Sequence, residues 1–229
     1  MSADDDKRFA AEAAVAEVRS GMVVGLGTGS TAAHMIRALG RMVAEGLDID
    51  TVATSVASAE LARSLGIRVH DFADVPRVDL TIDGADETDD RLLVVKGAGG
   101  AMLREKCVAA ASTRMIVIAD GAKRVPAIGA ARVPVEVLPF ARGFVMRILA
   151  ERADPALRMA GGEPYRTDQD MLVVDCLFGD LSDPHDAAAW LQAIPGVLGH
   201  GLFLTEVDAA YLATDGVVTK LERAVDRDQ

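Results

Sequence analysis

Apolar and polar positions recur along this chain with two periods. Over residues 4–19, Phe9, Ala13, Ala14 and Val18 fall at the spacing of one helix face. Asp4–Asp6 stand at its start, where free amides and the helix dipole favour carboxylates. Gly21 stops this helix, and Met22–Leu26 reads as a short buried strand. A Gly-rich turn leads into a second helix across Ala32–Ala44, with Met35, Ile36, Leu39 and Val43 at helical spacing. Asp50–Ser55, Arg68–Phe72, Val78–Ile82 and Arg114–Ala119 read as strands, and 58–65 and 101–112 as helices. Strands alternating with helices predict a mostly parallel sheet covered on both faces.

The pattern changes near Pro126. Pro134 and Pro139 punctuate 131–140, and a helix is predicted at 141–152. A hairpin around Tyr165–Asp170, a strand at Met171–Leu177 and a helix at 184–193 follow, which suggests a small α+β unit. The tail carries strand patterns near Gly201–Thr205, Ala209–Ala213 and Val217–Leu221, the last two joined by an Asp215-Gly216 turn. This tail is expected to rejoin the first unit, which makes the second an insertion.

With 229 residues, the chain has room for one large domain and a small second one. Its 50% hydrophobic content excludes general disorder. The N-terminus has aspartates where a signal peptide has basic residues, and no apolar run approaches a membrane span. Cys107 and Cys176 make no CxxC and read as two free thiols of a cytoplasmic protein. A net charge of −11 excludes nucleic acid and anionic membranes as main partners. It would also argue against an anionic ligand, unless the local charge is reversed.

Four segments carry candidate chemistry. Gly25-Leu26-Gly27-Thr28-Gly29-Ser30-Thr31 joins a strand to a helix, so its amides and hydroxyls suit an oxyanion. It lacks the Lys of a P-loop, and Ser30 stands where a dinucleotide fingerprint needs Gly. The bland alternative is a tight turn with Ser30 as cap. Asp83-Gly84-Ala85-Asp86-Glu87 follows a strand, at the sheet edge where α/β proteins bind ligands. Its carboxylates suit sugar hydroxyls, a cation or plain solvation. Lys96-Gly97-Ala98-Gly99-Gly100 sets a cation among turn amides, suited to a developing oxyanion or simply to a flexible turn. Glu105, between Arg104 and Lys106, would alone be a solvated helix residue. The four histidines are scattered without ligand spacing, so no histidine metal site is expected and His34 reads as structural. Cys107 reads as a packed thiol.

GLGTGSTA, TIDGADE, KGAGGAMLREK and IADGAK, in this order and spacing, resemble ribose-5-phosphate isomerase of the type A family, and the likeness runs through LQAIPGV to TDGVVTKLE. The resemblance implies an α/β fold: a Rossmann-like, mostly parallel sheet domain over 1–130 plus 205–229, with an inserted small α+β domain over 131–204. It implies a homodimer or a dimer of dimers, and an aldose–ketose isomerase without cofactor or metal, acting on a small sugar phosphate in the pentose phosphate pathway. Ribose 5-phosphate and ribulose 5-phosphate would interconvert through a cis-enediolate. Glu105 matches the general base, Lys96 the lysine beside the enediolate, and Asp83 and Asp86 the sugar-contacting carboxylates. Thr28, Gly29, Ser30, Thr31, Gly84, Ala85, Gly97, Ala98, Gly99 and Lys123 match substrate-contacting positions, and Lys7 a lysine near the phosphate. Two features depart from the family. Ala98 replaces a glycine in the usual KGGGAA, which would cost about 1 kcal/mol or more if its φ were positive. The usual Asn-Gly turn is absent from YRTDQDMLVVD, with little catalytic consequence expected. The alternatives are a non-catalytic sugar-phosphate-binding module and a nicotinamide oxidoreductase.

Overall fold

The Gly-punctuated first half builds alternating elements in a computed structural model that describes residues 1–179 and 181–223. In chain order these are α1 (Ala3–Val15), β1 (Val23–Leu26), α2 (Ser30–Ala44), β2 (Asp50–Ala53), α3 (Val56–Ser64) and β3 (Leu80–Gly84). Short strands β4 (Glu87–Thr88) and β5 (Val94–Val95), helix α4 (Met102–Ala110) and β6 (Met115–Asp120) follow. The second half contributes β7 (Val133–Val137), α5 (Arg142–Leu149), β8 (Ala153–Leu157), β9 (Met159–Ala160), β10 (Glu163–Pro164) and β11 (Leu172–Phe178). It continues with α6 (Pro184–Gln192), β12 (Val197–His200), β13 (Leu202–Phe203), β14 (Ala209–Thr214) and β15 (Val217–Glu222).

The large sheet runs β15-β14-β6-β3-β1-β2, parallel throughout except for the β14–β15 hairpin. The mostly parallel α/β sheet expected from the sequence is what forms. The chain leaves this sheet after β6, builds the antiparallel sheet β12-β7-β11-β8, and returns at β14. A third sheet, β13-β5-β4, pairs Leu202 with Val95 and so stitches the two regions together. Residues 224–229, assigned from sequence to the large domain, lie outside the described residues. No helix among the described residues is long and apolar enough to cross a membrane.

Several elements differ from the sequence reading. Helix α1 ends at Val15 rather than residue 19 and buries Ala10, Ala11, Ala14 and Val15. Phe9 only packs partly buried against that core. Glu17 lies just beyond the helix, where its carboxylate meets Tyr211 (2.6 Å), Lys220 (2.9 Å) and Arg114 (3.1 Å). Arg68–Phe72 is not a strand. Only Val69 bridges to Thr51, and the Asp71 carboxylate accepts from the Ala73 amide, turning Phe72–Asp74 into a single 3₁₀ turn. Strand β7 runs through Pro134, although proline argues against a central strand. The β12 register ends opposite Val135, and the chain beyond it asks Pro134 only for its carbonyl, which accepts from the Gly201 amide at 2.8 Å. The expected hairpin at Tyr165–Asp170 closes through an Arg166–Leu172 bridge, with Asp170 at φ 63°. Both cysteines are free, Cys176 buried, while Cys107 is exposed rather than packed.

The aspartates at the chain start divide their work. Asp5 completes a capping box with Ser2. His34 pairs with Asp4 at 2.9 Å, tying α2 to α1 as the structural reading of that histidine expected. Asp6 is buried and accepts from the Gly216 (2.8 Å) and Asp215 (3.2 Å) amides, joining the first helix to the last hairpin. Asp6→Ala strands these two donors and should cost about 1–3 kcal/mol. An unchanged urea midpoint would remove Asp6 from this role.

Candidate active site

The carboxyl ends of β1 and β3 lie side by side, and glycine lets the loop after β1 approach β3 closely. A Cβ on Gly27 would lie 2.1 Å from the Asp83 Oδ1 atom, so a side chain is excluded. The Thr28 (2.9 Å) and Gly84 (2.7 Å) amides both donate to Asp83 Oδ1. The Thr28 hydroxyl lies 2.7 Å from that of Thr54, and Ser58 donates to the Gly27 carbonyl at 2.7 Å. These two supports from the end of β2 and from α3 escaped the sequence reading, although Thr54 sits at the same sheet edge as the motifs.

Gly29 is the N-cap of α2, with φ 107°, and no side chain caps this helix. Its first-turn amides therefore face one end of a cavity of about 250 Å³, lined there by Lys7, Ser30, Thr31 and Lys123. The Lys7 Nζ atom donates to the Ser30 hydroxyl at 3.1 Å. A helix N-terminus with two lysines could hold a phosphate-sized anion. The acidic bulk of the chain does not reverse this local field, because exposed charges beyond about 8 Å are largely screened at physiological salt.

The other end is built from β3, the loop after β5, and α4. Lys96 is 2% exposed, its Nζ atom 2.9 Å from Asp83 Oδ2 and 3.4 Å from Glu105 Oε2. The same ammonium donates to the Gly84 carbonyl at 2.6 Å. The ammonium is the partner of both oxygens, and no other donor among the described residues reaches either of them. Burial would depress the Lys96 pKa, but the Asp83 and Glu105 carboxylates outweigh it and hold the value at about 12. Glu105 lies in the first turn of α4 and is 2% exposed. Burial, reinforced by the Asp83 charge and opposed by Lys96, pushes its carboxyl up to about 8. Burial also pushes the Asp83 carboxyl upward, against Lys96 and the two amides.

The cavity gathers every residue that the family resemblance matched to a catalytic or substrate-contacting position except Asp83. Asp83 is 0% exposed and stands behind Lys96 and Gly84 instead of lining the space. Asp86, Gly84, Ala85 and Gly97–Gly99 do line it. Ala98 is spared the strain raised by its replacement of glycine. Positive φ falls on Gly97 (101°) and Gly100 (79°), not on Ala98. Its amide donates to Asp86 Oδ2 at 2.9 Å. A larger cleft of about 540 Å³ lies by α3 and α4, lined by Arg63, Phe72, Arg104 and Cys107 among others. It lacks the buried Lys96–Glu105 pair that the smaller cavity holds. Among the described residues no three His, Cys, Asp or Glu side chains form a metal-ligating cluster.

A family model for ribose 5-phosphate isomerase A (phosphoriboisomerase A) matches residues 50–216. The chain is 49% identical over 229 residues to ribose-5-phosphate isomerase A of Caulobacter vibrioides, covering 97% of this chain and 100% of the relative. It is 48% identical over 223 residues to that of Parvibaculum lavamentivorans, covering 94% and 96%. Among solved structures, a D-ribose-5-phosphate isomerase in complex with phospho-erythronic acid superposes with a TM-score of 0.94 at 35% identity, covering 97% of this chain and 100% of that one. Ribose 5-phosphate isomerase A from Neisseria gonorrhoeae gives 0.91 at 35% identity, covering 98% and 99%. A likeness that extends through sequence, fold and nearly full length shows that this chain belongs to the ribose 5-phosphate isomerase A family and is an isomerase.

Proposed function

We propose that the chain interconverts D-ribose 5-phosphate and D-ribulose 5-phosphate through a cis-enediolate, with Glu105 as the base. The observation that carries this reading is the pairing of buried Glu105 with buried Lys96 at 3.4 Å, at the opposite end of a cavity from the free N-terminus of α2. Family membership supports the substrate pair. The phospho-erythronic acid held by the neighbouring structure carries a phosphate and a carboxylate, one charge for each end of such a cavity.

In this mechanism the phosphate rests on the α2 amides with Lys7 and Lys123. A Lys about 4 Å from the phosphate is worth up to roughly 4 kcal/mol at an effective dielectric near 20, before desolvation. Glu105 takes the C2 proton of the open-chain aldehyde, and the electron pair moves to the C1 oxygen. Lys96 stabilises that charge. The proton returns to C1 as a hydroxyl proton moves from O2 to O1, which leaves the C2 ketone. Asp86 lines the cavity and suits contacts to sugar hydroxyls. Asp83 acts through Lys96, as the counter-charge that keeps it protonated.

The test is ketose formation from ribose 5-phosphate with a chelator present. Ketose should form, and kcat/KM should rise about tenfold per pH unit below pH 8 and level above it, because a base must be deprotonated and Glu105 titrates at about 8. Tight binding without ketose would favour a binding module. Activity abolished by the chelator, or a flat profile between about pH 6 and 9, would sink this mechanism.

A further inference from the structure

The residues that directly follow β8 and β10 reach across to the cavity loop, and neither stands out in the sequence. Arg158 follows β8 and is 15% exposed. Its Nε atom donates to Asp175 Oδ2 at 2.8 Å, and Nη2 donates to Asp175 Oδ1. That fork leaves Nη1 to donate to the Ala98 (2.9 Å) and Gly97 (3.2 Å) carbonyls. Tyr165, with its ring 5.6 Å from the Arg158 guanidinium carbon, donates to the Gly99 carbonyl at 3.2 Å. Three consecutive carbonyls of the loop are thus held from outside the cavity.

The amides follow from peptide geometry. In a planar trans peptide, the carbonyl of one residue and the N–H of the next point in opposite directions. Arg158 and the loop's own Gly100 amide (2.9 Å) together hold the Gly97 carbonyl, which turns the Ala98 N–H away from Arg158, toward Asp86 Oδ2, where it donates. Holding the Ala98 carbonyl turns the Gly99 N–H away from Arg158, and no described residue accepts it. Gly99 lines the cavity. We propose that Arg158, fixed by Asp175, is a positioning residue for the isomerisation: it aims the Gly99 N–H and, through Ala98, the Asp86 carboxylate at the reacting sugar. The antiparallel sheet therefore shapes the site without lining it. This proposal rests on the placement of the chemistry in that cavity.

Arg158→Met removes the donors and keeps an unbranched stem, and Arg158→Lys keeps the charge without the fork. In both, kcat for ribose 5-phosphate should fall about 10–100-fold, with KM within about 3-fold and the alkaline limb unmoved. Sub-denaturing guanidinium should restore part of the kcat of Arg158→Ala, a result that loss of packing would not give. A folded Arg158→Met enzyme with kcat within about 2-fold of the parent overturns the proposal. So does a loss that guanidinium leaves unrestored and that follows a fall in Tm. Full activity in Glu105→Gln would instead remove the assignment of the base, so the two failures are distinguishable.

Discussion

Glu105→Gln should lower kcat by about 10²–10⁴-fold while ribose 5-phosphate still binds, because the amide keeps the shape of the side chain and cannot accept the C2 proton. The same change should stabilise the fold, and the sign follows from linkage. Burial and the Asp83 charge raise the Glu105 pKa from 4.5 to about 8, so the folded state holds this proton more tightly than the unfolded one. The associated stability is fully present below pH 4.5 and is lost as pH rises through about 8. Glutamine carries no such charge. The Tm gained by the variant should therefore be small near pH 5 and reach its maximum above pH 8. An active site that destabilises its own base is a familiar cost of function. Parent-like turnover in a folded Glu105→Gln enzyme removes the base from the mechanism, and a Tm difference that does not change with pH removes the buried charge.

Legibility in the sequence followed the range of the interactions. The loop from Gly25 to Thr31, the DGAD turn and the Lys96–Glu105 spacing are local, and each sits where a strand hands over to a turn or helix. Chain-local chemistry marked the two loops and Lys96 as candidates, whereas Glu105 alone read as a solvated helix residue and stood out only through the family resemblance; the fold collects them in one cavity. Asp83 shows the limit. Its sequence neighbours do not reveal that the strand places it behind Lys96 rather than against the cavity, since that depends on Gly27 admitting the β1 loop. Arg158 and Tyr165 lie some sixty residues from the carbonyls they hold, with only isolated polar character to mark them. The turn at 167–170, read as remote from catalysis, has Asp168 accepting from the Val56 amide at 2.7 Å and pairing with Arg104 on α4 at 3.4 Å. Strand patterning failed at Arg68–Phe72 and Pro134 for the same reason. A side-chain cap at Asp71 and a neighbour that uses only the Pro134 carbonyl accommodate those backbones, and both are properties of the folded chain.

Lys96→Met should remove both the charge that meets the enediolate and the charge that balances two buried carboxylates. Loss of one preorganised electrostatic partner costs about 10²–10³-fold in kcat. Asp83 would be left at 0% exposure with no cation within reach, and breaking a buried pair from one side costs about 3–5 kcal/mol. Those two losses can be separated. Asp83→Asn in the Lys96→Met background should return much of the stability, because the stranded charge is gone, and none of the turnover. The pH profile reports on the third member of the group. Lys96 opposes the upward push of burial on Glu105, so without it the Glu105 limb should move further alkaline. A Lys96→Met enzyme that keeps its limb at about 8 would show that the ammonium does not act on Glu105, despite lying 3.4 Å from it. A double variant as unstable as Lys96→Met alone would show that Asp83 does not need its charge balanced. If both predicted shifts occur, Lys96 has one position and two functions: it stabilises the transition-state oxygen and sets the proton affinity of the base that creates it.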